Sequence, residues 1–208
     1  MSDVPNRGAP ADIVRDKLLY RPASWFEPLV LGTVFGRAAP LEVELGSGDG
    51  SFILEWARRH PERDFLAVER LLGRIRKVDR KGQRAGLTNL RALRIEASYC
   101  LEYLLPPGTV ESLHIYFPDP WPKRRHHKNR LVNERFPELA WRCLTPGGQV
   151  HLRTDDAGYF EQMLRVFGGD TRFRVVETPG DLVLVITDFE RGFNAQGIPT
   201  RRISYQRL

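Results

Sequence analysis

The chain has 208 residues, enough for one domain with a substantial core and too few for two full ones. Its composition is that of an ordinary soluble globular protein, 41% hydrophobic and 28% charged, and no run approaches the ~20 apolar residues of a membrane span. Lys and Arg together exceed Asp and Glu by six, which favours an acidic partner, nucleic acid first and an anionic membrane surface second.

Residues 1–12 carry Pro5, Gly8 and Pro10 and are expected to be mobile, with no basic-then-apolar signal pattern. Val14–Phe35 mixes charge with Leu18, Leu19, Trp25, Phe26, Leu29 and Val30, the pattern of short helices that cover part of a core. From Leu41 a strand–helix alternation sets in. Strands are predicted at Leu41–Leu45, Asp64–Val68, Asn89–Ile95, Val110–Phe117 and Gln149–Thr154. Helices are predicted at Ser51–Arg59, Leu71–Ala85, Tyr99–Leu105, Leu131–Leu144 and Ala157–Phe167, with Pro137 bending the fourth or delaying its first turn. Phe173–Thr178 and Leu182–Phe189, split by Pro179–Gly180–Asp181, read as a closing antiparallel pair. The rhythm predicts a mostly parallel sheet covered by helices on both faces, with ligands beyond the carboxyl ends of its strands.

The polar features fall at those ends. Glycines 46, 48 and 50 follow the first strand in Glu44–Leu45–Gly46–Ser47–Gly48–Asp49–Gly50 and let the backbone approach a ligand closely. The dinucleotide fingerprint requires a glycine where Ser51 stands, so a pyrophosphate cradle is not specified. Glu44 beside the loop disfavours phosphate and suits a cationic ligand. Glu69 ends the second strand, where an acid can take both hydroxyls of a ribose, and Glu96–Ala97 ends the third, within reach of a base edge. Phe117–Pro118–Asp119–Pro120–Trp121 places one carboxylate between prolines at the end of the fourth strand. Five cationic side chains follow within eight residues, Lys123–Arg130. Arg70–Arg94 adds nine basic residues against the single acid Asp79. Such clusters neutralise a polyanion. Cys100 and Cys143 stand far apart without a CxxC, and His126 and His127 lack sulfur neighbours, so reduced thiols, a cytoplasmic setting and no metal site are expected.

Phe117–Arg130 resembles the signature F-x-D-P-W-x-K-x-R-H-x-K-x-R of the bacterial single-subunit tRNA (guanine-N7-)-methyltransferases. Leu41–Gly50, Phe65–Glu69, Thr154–Asp155 and Thr187–Asp188–Phe189–Glu190–Arg191 also match, with Gly197 and Pro199–Thr200–Arg201 more loosely, so the resemblance spans about residues 40–203. It implies a class I, Rossmann-like three-layer α/β sandwich with a mostly parallel seven-stranded sheet and a C-terminal antiparallel strand. It places an N-terminal arm and covering helices at 1–35 and the methyltransferase domain at 36–208. The implied cofactor is S-adenosylmethionine, held by Glu44, Gly46, Gly48, Gly50, Glu69, Glu96, Ala97 and Asp119, with Asp119 the active-site residue. Lys123, Arg124, Arg125, Asp155, Thr187, Asp188, Phe189 and Glu190 would meet the guanosine or its tRNA. Glu96 departs from the family, which often carries Asp there, and residues 1–35 show no basic arm. The implied partner is tRNA, with no membrane and no obligate protein partner, and the chain is expected to be a monomer. Asp155 or Glu190 would read the guanine edge. Trp121 either stacks on a base or braces its loop, and Arg130 joins the phosphate-binding cations. The competing readings are a methyltransferase for another RNA site or nucleoside, and a non-catalytic RNA-binding protein on the same fold.

Overall fold

The computed structural model describes residues 18–208, so expectations for the first part of the arm lie outside the described residues. In chain order the elements are β1 (Leu19–Tyr20), α1 (Leu31–Phe35), β2 (Leu41–Leu45), α2 (Ile53–Arg59), β3 (Asp64–Val68), α3 (Leu72–Arg84), β4 (Leu90–Leu93) and α4 (Ala97–Tyr99). A π-helical turn, Cys100–Leu104, extends α4. Then come β5 (Val110–Tyr116), a 3₁₀ helix Arg124–Asn129, α5 (Phe136–Cys143), β6 (Leu144–Thr154), α6 (Ala157–Gly168), β7 (Phe173–Val176), α7 (Gly180–Leu184), α8 (Asp188–Ala195) and β8 (Arg201–Arg207).

They build one sheet in the order β1-β4-β3-β2-β5-β6-β8-β7. β1 to β6 pair in parallel, and β8 runs antiparallel to both β6 and β7. The seven strands implied by the resemblance are all present, and β1 adds an eighth, two-residue strand at the edge. The N-terminal region therefore joins the sheet, since Leu19 pairs with Ala92.

Alternation along the strands divides the interior in two. Leu41, Val43, Leu45, Leu66, Val68, Leu113, Ile115, Val150 and Leu152 point into one apolar core. On the other face Phe65 and Ala67 pack with Phe52, Ile75 and Val78. There the central strands carry a buried polar row: Glu42 and Glu44 on β2, His114 and Tyr116 on β5, His151 and Arg153 on β6. Register makes them neighbours, with Glu44 opposite His114, His114 opposite His151 and Tyr116 opposite Arg153. His114 bridges the row, its Nε2 2.8 Å from Glu42 Oε2 and its Nδ1 2.9 Å from the Tyr116 hydroxyl. Buried polar groups persist only when partnered in this way.

The row makes the fold acid-sensitive. Burial, then His114, holds the His151 imidazole well below its ordinary 6.5. Burial opposes ionisation of Glu42, but hydrogen bonds from His114 and Trp56 and the Arg63 charge hold it down to about 2. A neutral His151 in the folded chain contributes stability that is present above pH 6.5 and lost as pH falls, because only the unfolded chain then takes the proton. Glu42 adds a second loss, from about its ordinary 4.5 down toward 2. Between pH 7 and 5 the unfolding free energy should drop by up to ~1.4 kcal/mol per pH unit. Urea midpoints across that range check this; the slope should flatten in His151→Gln, and an unchanged slope in the variant refutes the assignment.

Two expectations fail: in the described part of Val14–Phe35 only Leu31–Phe35 is helical, with Leu19–Tyr20 a strand, and the C-terminal pairing differs. Leu182–Phe189 is not a strand: it divides between α7 and α8, and the partner of β7 is β8. Thr187 begins α8 as its N-cap, its Oγ1 accepting from the Glu190 N–H at 3.0 Å, and the Thr-x-x-Glu spacing is a helix-start pattern hidden in an apolar run. Leu184 and Ile186 in that run are exposed, as no buried strand would leave them. Pro137 acts as expected, delaying the helix so that it starts at Phe136 with proline in its first turn.

Candidate active site

The turn after β2 is held by the backbone. The N–H groups of Gly46 and Ser47 both donate to the Val68 carbonyl at 2.9 Å, and the Gly48 N–H donates to Glu69 Oε2 at 3.1 Å. Gly46 and Gly48 have φ of 84° and 57°, and a Cβ at either would meet nothing, so the turn opens onto free space. Gly50 differs: a Cβ there would lie 2.8 Å from Leu54 Cδ1, so it seats the start of α2 against its neighbours. Ser51, in place of a third motif glycine, accepts the Asp188 N–H at 3.2 Å and ties α8 to this turn.

Two adjoining cavities lie at the carboxyl ends of β2 to β5. The larger, 560 Å³, is walled by Gly46, Glu69, Glu96, Ala97, Asp119 and Trp121, and the 3₁₀ helix closes it with Lys128 and Asn129. The smaller, 240 Å³, holds Glu44, Ser47, Gly48, Asp155, Thr187 and Phe189. Gly46, Arg74, Phe117, Pro118 and Asp119 belong to both. Asp119 is exposed at this junction. Prolines 118, 120 and 122 stiffen its segment, and Phe117 and Trp121 take φ of 51° and 45° on either side. Bulky residues in the left-handed region are rare and cost of order 1–3 kcal/mol, a strain that collects where a loop must be aimed.

The acids differ in state. Glu44 is buried, and burial pushes its carboxyl well above the usual range, against the pull of Arg153. Its Oε2 and the Ser47 hydroxyl, both buried, have no partner among the described residues. Glu69 spends its carboxylate on the turn, accepting from Gly48 and, at 2.8 Å, from the Leu71 N–H. Glu96 caps α4, accepting from the Tyr99 N–H at 2.9 Å. Burial works against its charge, but hydrogen bonds from the Ser98 hydroxyl and the backbone N–H groups of Ser98, Tyr99 and Ala97 hold its carboxyl below the ordinary value.

The remaining candidates are less alike than their sequence suggested. Asp155 and Thr187 stand on the wall of the small cavity, and Phe189 is half-exposed beside them. Glu190 is buried and spoken for: Arg153 reaches it at 3.1 Å and Arg202 at 3.0 Å. Asp188 points outward and pairs with Arg191 at 3.1 Å. Lys123, Arg124 and Arg125 are exposed on and just before the 3₁₀ helix, outside both cavities. Arg130, expected among the phosphate-binding cations, is instead buried. It donates to the Pro120 carbonyl at 2.7 Å and to Gln162 at 2.9 Å and lies 4.7 Å over the Tyr159 ring, so it braces the Asp119 loop from behind.

Three residues escaped the sequence reading. Ser47 is a buried, unpartnered hydroxyl in the turn. Arg74, hidden in a basic helix, reaches both cavities. Arg153 is fully buried, donates to the Val185 carbonyl at 2.8 Å and lies 4.2 Å over the Tyr116 ring. An arginine inside the apolar strand Val150–Thr154 was the available signal.

The strand order, the glycine turn after β2 and the acids at the ends of the next two strands define a Rossmann-like methyltransferase of class I. A family model described as putative methyltransferase matches residues 38–202. The tRNA (guanine-N(7)-)-methyltransferase of Nitrosomonas eutropha is 40% identical over 154 residues, covering 74% of this chain and 68% of that protein. The chain belongs to the tRNA (guanine-N(7)-)-methyltransferase family. The relative from Halorhodospira halophila is 43% identical over 151 residues, 69% of this chain and 62% of its own length. The chain thus spans 62 to 68% of the length of these two relatives. Among solved structures, the 16S rRNA methyltransferase KamB superposes with a TM-score of 0.61 at 16% identity, covering 85% of this chain and 92% of that one. TrmN from Thermus thermophilus gives 0.59 at 19%, covering 86% and 47%. Those two identities speak for the fold alone.

Proposed function

We propose that the chain transfers the methyl group of S-adenosylmethionine to N7 of a guanine in tRNA, in the variable loop. The observation that carries this reading is the position of Asp119, on the shared wall of a nucleoside-sized cleft and a smaller acidic cavity. The residues present fit the cofactor. The unpartnered Glu44 Oε2 and Ser47 hydroxyl suit its ammonium group, the open turn at Gly46 and Gly48 admits a ligand, and Glu69, Glu96 and Ala97 line the part of the cleft that suits ribose and adenine. When bound, S-adenosylmethionine supplies a methyl group on a positively charged sulfur. Guanine N7 already carries a lone pair at neutral pH, so no side chain has to remove a proton first. The work left to the protein is alignment and charge. The Asp119 carboxylate faces the junction and favours the positive charge that the base acquires. Asp155, whose carboxylate makes no hydrogen bond or ion pair among the described residues, takes the N1–H and amino edge of guanine, while Glu190 fixes α8 through Arg153 and Arg202. Thr187 and Phe189 complete the base wall.

The exposed cations Lys123, Arg124 and Arg125, together with the outer face of α3, grip phosphates. No helix among the described residues is long and apolar enough to cross a membrane. We take the working unit to be the monomer. Unmodified tRNA incubated with labelled cofactor, then reduced with borohydride to release the methylated base and treated with aniline, should be cut at that guanine. Label at an exocyclic amine or a ring carbon instead would move the chain to another RNA methyltransferase activity. Replacing Arg124 and Arg125 together by alanine should weaken tRNA binding and reduce the slope of log affinity against log salt by at most about two. An unchanged slope in filter binding would place both side chains off the RNA.

A further inference from the structure

We propose that an apolar cavity between α3 and α8 binds the nucleobase adjacent to the target guanine in the substrate RNA. The inference rests on the reading above and extends it from one nucleotide to two. The cavity measures 510 Å³ and adjoins the small acidic one, sharing Asp49, Arg74, Phe189 and Phe193 with it. Phe189 and Phe193 stand four residues apart on α8 and so face the same way. Both pack toward Phe117, with ring centroids 6.5 Å and 5.6 Å away, which places the aromatic wall directly behind the Asp119 loop. Phe189 remains 49% exposed.

The charges at the rim select the occupant. Its acids are engaged, Asp49 with Lys81 at 3.4 Å and Asp188 with Arg191 at 3.1 Å. Its cations are not: Arg74 and Lys77 make no ion pair among the described residues, and Arg74 lies 6.0 Å from the centroid of the Phe189 ring. A half-exposed aromatic face bordered by unneutralised cations is the chemistry that receives an unstacked base with its phosphate. A base in this cavity and a guanine in the acidic one would lie on either side of Phe189, a spacing that suits successive nucleotides of one strand.

Gly192 provides the test. It lines the cavity, a Cβ there meets nothing within 4 Å, and its backbone is outside the left-handed region, so Gly192→Leu intrudes on the space from a wall to which Asp119 does not belong. The full chain is assayed on tRNA that is intact, or abasic at the nucleotide 5′ or 3′ of the target guanine. Wild type should lose about tenfold or more in kcat/KM on one of the abasic substrates. Gly192→Leu should show most of that loss already on intact tRNA and lose little further on the abasic one, with cofactor affinity unchanged and a melting temperature no lower than wild type. Indifference of wild type to both abasic positions would overturn the proposal, as would a variant fully active on intact tRNA. Sedimentation showing a dimer that Gly192→Leu dissociates would overturn it in favour of contact between copies. Absence of N7-methylguanine in wild-type product is a separate result, seen first, that removes the parent reading.

Discussion

Asp119→Ala should lower the rate of methyl transfer to tRNA by roughly 10²–10³-fold, the range found when one preorganised charge facing a reacting centre is removed. Asp119 is exposed at the junction of the two cavities, so the change removes a charge and leaves no core void. The melting temperature should therefore stay put. Asp119→Asn separates two contributions. It keeps a hydrogen-bonding side chain on the same proline-held backbone and loses the charge, so a purely positional role would spare it and an electrostatic role would not. Single-turnover rates at saturating cofactor make the distinction. A variant within a few-fold of wild type would show that the carboxylate does not face the reacting base.

Glu44→Met, an apolar side chain of similar length, should move two measurements in opposite directions. Glu44 is a buried carboxyl with an unpartnered oxygen, and burial has pushed its ionisation well above the usual range. Such a group costs the folded chain free energy unless a ligand completes it. Removing the acid should raise the melting temperature of the free protein by a few degrees while weakening S-adenosylmethionine roughly ten- to a hundredfold, the worth of a hydrogen bond to a charged group. Calorimetric titration and thermal scans on one sample suffice. Loss of stability together with unchanged cofactor affinity would make Glu44 a structural acid held by Arg153. The opposite signs identify a residue kept at the expense of stability because a ligand needs it.

The sheet was legible because its strands are short apolar runs ending in Gly, Pro or an acid. β2 and β3 fall where the alternation put them, Leu41–Leu45 and Asp64–Val68. The carboxyl-end rule then brought Glu44, Glu69, Glu96 and Asp119 to one rim, and the structure holds all four there. The C-terminal part was less legible for a local reason. Leu182–Ile186 has the composition of a strand, whereas β8, Arg-Arg-Ile-Ser-Tyr-Gln-Arg, has the composition of a surface loop. Only Ile203 and Tyr205 pack against or into the core there, and β8 is defined by its neighbours β6 and β7. Arg130 and Glu190 turn inward while their sequence neighbours stay exposed, and a motif records charge without recording which of its members do so. Both sit in buried networks with long-range partners, Gln162 for one and Arg153 for the other. No local pattern announces contacts across such separations.

The way α8 is fastened has a bearing on redesign. Its inner attachments are few: the Thr187 cap, the Asp188 tie to Ser51, and Glu190 between two arginines. Phe189 and Phe193 project on another side, toward the cavities. The helix therefore works as an interchangeable key in a fixed lock plate, and libraries that vary the projecting positions while preserving Ser51, Thr187 and Glu190 are the place to look for enzymes with altered choice of target nucleotide.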